Sequence, residues 1–327
     1  MKLRAISALV ICCLLLSGCG NEQAAEENSN LNTEQVVEAR PSIGGTMTLA
    51  MHKPETLNPI ENRDNTVDRI LRLIYEPLFV VNDEMHVVPN LAESYEVRGN
   101  TVTLKLKSGV KWEDGNPVTA DDVIYTLGEL EDAELDTIYK SCADNITSYS
   151  KVDDLTVRIG YSKGLGSVGY SLCFPVIPKH YYNSRAAEDL KPVGNGAYKF
   201  SSYTLVKEME LTASETGLNG RPYISNINVK IMSDTQTEIQ ALEAGVVDAM
   251  TLDINSLGSL STELSSNAVE FPTNQFEFIG FNVQNEMFSN VNIRQGLAHL
   301  IPREDIINDI YLNKMTESVT PINPDNA

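Results

Sequence analysis

Between residues 44 and 300 the apolar residues change period repeatedly, and neither period lasts long enough to build an all-α or all-β fold. Met47, Leu49 and Met51 alternate with Thr46, Thr48 and Ala50, as in a strand. Val67, Ile70, Leu71 and Ile74 then share one helical face, and Glu76-Pro77 ends it. Strand patterns return at 78–81 and at 101–106, where Val102, Leu104 and Leu106 point one way. Thr119 introduces a helix through Val123, Ile124 and Leu127, with Asp121 and Asp122 in its first turn. Further strands are predicted at 155–159, from Tyr198 through Phe200 with a partner at 210–213, at 227–231 and at 246–250. Helices are predicted over 235–244, ended by Gly245, over 255–265, and over 293–300, ended by Ile301-Pro302. Phe276, Phe278 and Asn282 sit in another alternating run. This mixture predicts an α/β or α+β chain.

The first twenty residues set the compartment. Lys2 and Arg4 precede an apolar run of twelve residues, 5–16, too short to span a bilayer as a mature helix. Leu16-Ser17-Gly18-Cys19 follows and resembles the lipobox of bacterial lipoproteins, which implies cleavage before Cys19 and a diacylglycerol on its thiol. Residues 20–40 are polar, acidic and aperiodic, and are expected to form a tether. With 25 Lys+Arg against 45 Asp+Glu, the formal charge of −20 disfavours nucleic acid as a partner. Cys12 and Cys13 leave with the signal, so Cys142 and Cys173 remain either as a disulfide or as two small buried hydrophobes.

No enzyme motif is present. The chain lacks G-x-S-x-G, H-E-x-x-H and a P-loop, its four histidines are scattered, and no metal site or cofactor is expected. Gly164 to Gly169 fit G-x-G-x-x-G after a strand, but Pro175 and Pro178 interrupt the segment where a second parallel strand would be needed. Loop glycines are the better reading there.

The ordered segments GGTMTLAM, TLNPI, IYEPLFVVND, PNLAESYEV, TVTLKLKSGVKWEDGNPVTADDVIYTL, VIPKHYY, PVGNGAYKF, ALEAGVVDAM and FNVQNEMFSNVNIRQGLAHLIPREDII resemble family 5 of bacterial extracellular solute-binding proteins. These are the peptide-binding and nickel-binding components of ABC importers. The resemblance implies a type II periplasmic-binding-protein-like clamshell, mixed α/β, with its second lobe incomplete. Its parts would be a lipoprotein signal at 1–18, an acidic tether at 19–41, a first lobe at 42–270 with a smaller domain inserted at about 61–189, and the start of a second lobe at 271–327. Family chains continue past the IRQGLAHLIPREDII block, so a fragment or a truncated product is expected here.

The implied function is capture of di- or oligopeptides by a monomer anchored to the membrane through its N-terminal lipid, with delivery to ABC permease subunits. A nickel chelate, haem, an oligosaccharide or a sensory role are the alternatives. By the same resemblance the loop Glu61-Asn62-Arg63-Asp64-Asn65 lines the cleft, with Arg63 suited to a carboxylate. Tyr139 lies over the solute, Asp253 borders it, and Asn274, Gln275 and Phe276 form a strand pairing with peptide backbone. Trp112 and Asp114 are expected to hold the fold instead: Asp114-Gly115 makes a tight turn between Trp112 and the helix that Thr119 caps.

Overall fold

The computed structural model describes residues 41–132, 136–163, 169–183, 191–271, 273 and 275–318. Strand β1 (Gly44–His52) lies parallel to β10 (Ile224–Met232), with Thr48 opposite Asn228. The antiparallel strands β8 (Tyr198–Thr204) and β9 (Glu208–Ala213) complete a sheet of order β1-β10-β9-β8. The chain between β1 and β8 builds a second sheet from β4 (Ala92–Arg98), β5 (Thr101–Leu106), β6 (Ile146–Asp153) and β7 (Thr156–Tyr161), in the order β4-β5-β7-β6. A small ribbon pairs β2 (Phe79–Val81) with β3 (Val87–Pro89).

Alternation decides which faces are buried. Val102, Leu104 and Leu106 of β5 and Val157 and Ile159 of β7 point inward, and the Ala120–Glu131 helix lays Val123, Leu127 and Leu130 against that sheet. Ile227 and Val229 of β10 with Met209 and Leu211 of β9 line the first sheet, and all of these side chains belong to one continuous core. Burying them supplies about 25 cal/mol per Å² of apolar surface. Phe174, Val176 and Ile177 cross this core, fully buried, in the proline-flanked segment unsuited to a central strand.

The expected framework is in place. Trp112 is 1 % exposed, and its indole N–H donates to Asp122 Oδ2 at 3.3 Å. Asp122 also accepts from the Thr119 N–H at 2.8 Å, which fastens the start of the helix. Asp114 Oδ1 accepts from Asn116 N–H, and Gly115 takes φ +90°, a turn conformation that a side chain would strain. Gly245, at φ +66°, ends the Thr235–Glu243 helix as expected.

Three expected elements differ. Residues 246–250 form no strand: Asp248 N–H donates to Thr48 O at 2.8 Å, and its side chain accepts from Thr48 N–H, so one residue closes the β1 edge. The helix expected over 255–265 is two short ones, Ile254–Leu257 and Thr262–Ser266, parted around Gly258. Described residues near Phe276 and Phe278 form no strand, since no neighbouring strand pairs with them. Beyond residue 270 the helices Glu286–Ser289, Val291–Leu300 and Arg303–Asp305 bury no residue, and Phe271, Phe278 and Leu300 are exposed. Among the described residues no helix is long and apolar enough to cross a membrane.

Candidate solute-binding site

The carboxyl ends of the parallel strands β1 and β10 lie side by side, with His52 opposite Met232. The chain leaving β1 is knit by its own polar side chains. Asn58 Oδ1 accepts from Ile60 N–H, while buried Asn62 accepts from Asp64 N–H and donates to Asp64 O at 2.8 Å. Asp64 then caps the Asn65–Leu71 helix, taking Thr66 N–H at 2.7 Å and Val67 N–H at 3.2 Å. The insertion clamps this loop from outside: the Thr137 hydroxyl and Ile138 N–H both donate to Asn62 O.

Arg63 and Asn65 project from this clamped loop into solvent, and Arg63 Nε donates to Asp136 O at 2.8 Å. Both are exposed side chains of this one loop. Asp253 is engaged locally, capping the Ile254–Leu257 helix through Ser256 N–H. Gln275 donates to Glu277 at 2.9 Å, and Phe276 stacks on Phe278 with ring centroids 5.9 Å apart. Cys19 and Asn274 lie outside the described residues, as does most of the 164–169 glycine motif.

Tyr139 requires correction. Its ring is 5 % exposed, its hydroxyl donates to Asp68 Oδ1 at 2.5 Å, and the Arg72 guanidinium lies 5.8 Å above it. Arg72 Nε in turn donates to Asp68 Oδ2 at 2.7 Å. Burial, then the Asp68 charge, pushes the phenol well above its ordinary pKa, so it stays a donor. Tyr139 ties the segment around 137–140 to the Asn65–Leu71 helix and leaves almost no surface open to solvent. Of the two readings left open for the cysteines, the structure has Cys142 and Cys173 both free, and burial pushes each thiol up to about 11. Cys173 Sγ donates to Gly169 O. Asp68 and Arg72 were not singled out in the sequence, where they read as the polar face of a short helix.

Two more side chains belong to the site and carry no sequence signal of their own. His52 Nδ1 is 2.8 Å from Asp64 Oδ2, and its Nε2 is 3.8 Å from Glu238 Oε1 on the Thr235–Glu243 helix. Burial raises the Asp64 pKa, but hydrogen bonds from Thr66, His52 and Val67 outweigh it and hold the carboxyl below its ordinary value. Burial raises Glu238, with His52 and Arg69 opposing. A separate shallow crevice, too tight to admit a water-sized sphere, is lined by Lys111, Glu113, Asn195, Lys199, Ser214 and Thr216 among others, and by none of the expected solute residues. Among the described residues no cluster of three or more His, Cys, Asp or Glu could hold a metal ion.

Residues 86–327 match the family described as bacterial extracellular solute-binding proteins, family 5 middle. The chain belongs to that family. It is 25 % identical over 325 residues to the oligopeptide-binding protein AppA of Bacillus subtilis, covering 93 % of this chain and 58 % of that protein. It is 26 % identical to the heme-binding protein A of Haemophilus influenzae, covering 99 % of this chain and 64 % of the relative. Its fold superposes on the structure of AppA in complex with a nonapeptide at TM-score 0.64, with 24 % identity, over 88 % of this chain and 59 % of that one. The ABC transporter substrate-binding protein CtaP of Listeria monocytogenes gives TM-score 0.67 at 26 % identity, over 82 % and 57 %. The chain thus spans less than two thirds of the length of these relatives, and it shares the mixed α/β architecture of family 5 binding proteins.

Proposed function

We propose that this chain is the solute-binding component of an ABC importer, anchored outside the membrane by lipid on Cys19, where it captures peptides and hands them to permease subunits. The observation that carries the peptide reading is the match over 93 % of the chain to an oligopeptide-binding protein. The rim holding Arg63 and Asn65 would meet the solute first, with Arg63 set to pair with a carboxylate. Asp253, Asn274, Gln275 and Phe276 are proposed to border the solute from the later segment, where a peptide backbone could supply the strand partner that 275–282 lacks. Binding would act through closure, because solute contacts made only in the closed form shift the population toward it.

Haem is the second reading, favoured by the match over 99 % of the chain to a heme-binding protein. Titrating the full chain with a randomised nonapeptide pool and, separately, with haemin decides between them. A rise in melting temperature with peptide alone supports the first reading, and a rise with haemin alone replaces it. Anchoring is tested with Cys19→Ala, which is expected to release the protein from the membrane fraction. Retention there would remove the lipid from the account.

A further inference from the structure

The imidazole of His52 faces two carboxylates, Asp64 with its hydrogen-bond partners in place and Glu238 with one buried oxygen unpartnered. Toward Asp64, Nδ1 has a partner at 2.8 Å whose other oxygen already accepts from the Thr66 N–H and hydroxyl and from Val67 N–H. An ionised acceptor there places the hydrogen of the neutral ring on Nδ1 and leaves Nε2 as a bare lone pair. Toward Glu238, Nε2 meets Oε1 at 3.8 Å, and both are buried atoms without a hydrogen-bond partner. Two acceptors facing each other away from water cost desolvation twice and return nothing. One proton between them turns the conflict into a charge-assisted hydrogen bond after a closure of about 1 Å. The other charged groups that act on Glu238 are Arg69, which favours its ionised form, and Asp64 and Asp234, which oppose it.

We infer that His52 and Glu238 are positioning residues of the solute rim, which share one proton and through it pin the 61–65 loop to the Thr235–Glu243 helix. His52 holds this segment by two routes, its ring Nδ1 to Asp64 and its backbone N–H to the Thr66 hydroxyl at 2.8 Å. The proton comes from solvent and returns to it as the pH rises. That this loop is a solute rim rests on the proposed function; the pin itself does not. Burial of Glu238 gives the sign: an acid whose folded pKa is raised adds stability that is complete below its ordinary value and is lost as pH climbs through the raised one.

The test is amide hydrogen exchange at His52, Thr66 and Val67 in the full chain without solute, at pH 5.5 and pH 8, corrected for intrinsic exchange. Protection in the wild type is expected to fall about tenfold at pH 8 for each unit of proton coupling. Glu238→Gln carries a permanent N–H donor toward Nε2 and is expected to keep its protection at both pH values, whereas Glu238→Ala loses it at both. Equal wild-type protection at the two pH values would overturn the inference, and so would a Gln variant that behaves like the Ala variant. If neither variant folds, wild-type protection at His52, Thr66 and Val67 is read against that of the β5 amides, and a pH-dependent loss shared equally by both sets overturns the inference. The nonapeptide pool is titrated separately, so pH-dependent protection without peptide binding rejects only the solute reading.

Discussion

Tyr139 shows how one hydroxyl changes a role. Its aromatic ring suited a ligand wall, but its hydroxyl donates to one oxygen of buried Asp68 while Arg72 takes the other. Tyr139→Phe is expected to cost about 1–3 kcal/mol by denaturant unfolding, because Asp68 Oδ1 loses its donor while buried. A change within about 0.5 kcal/mol would return Tyr139 to the status of a replaceable surface ring. Glu113 is the clearest titration outside the rim. Burial, reinforced by Asp114 and opposed by Lys199, pushes its carboxyl from 4.5 up to about 7. The stability tied to its protonated form is present below pH 4.5 and lost as pH rises through about 7. Glu113→Gln should therefore melt above the wild type at pH 8 and together with it at pH 4.5. The two thiols are expected to ignore an alkylating reagent at pH 7.5 until the chain is unfolded, since burial keeps both protonated. The roles of Tyr139 and Glu113 were not legible in the sequence, because each depends on partners that only folding brings near.

Whole elements were read with more success, and the reason is burial. Strand β5 and the Ala120–Glu131 helix each bury a regular set of side chains, so the 2 and 3.6 periods survive in the sequence. Strands β4 and β6 bury only Ala92 and Ile146 and sit at the sheet edges, so alternation could not reveal them; β4 was covered only by the family resemblance. The 246–250 segment misled for the opposite reason: it sits beside a strand, but a single aspartate makes the edge contact. Glycines at 194 and 196 join the elements. A Cβ at either would strike the Ile74 backbone carbonyl, whose oxygen accepts from both Asn195 N–H and Gly196 N–H. Gly194→Ala is expected to destabilise by about 3 kcal/mol or to prevent folding, read from urea midpoints. An unchanged midpoint would mean that the turn can shift freely and does not fix β8 to the loop helix.

At the scale of the molecule, two sheets share one core, and the loop between β1 and the first helix is held by its own bonds and by the Thr137 hydroxyl. The family was legible because the framework blocks, centred on Trp112 and its buried bond to Asp122, leave long ordered runs in the sequence. The solute was not legible, because Arg63 and Asn65, the proposed solute contacts, are exposed side chains whose identity no packing constrains. If this protein carries peptide outside the membrane, the peptide should travel with it. Native mass spectrometry of the protein, released gently from the membranes of the cells that make it, reads this out. A population heavier than the bare protein by the masses of short peptides, lost on unfolding, is expected. Recovery of only the bare chain after incubation with the nonapeptide pool, or of a non-peptide mass in its place, would contradict it.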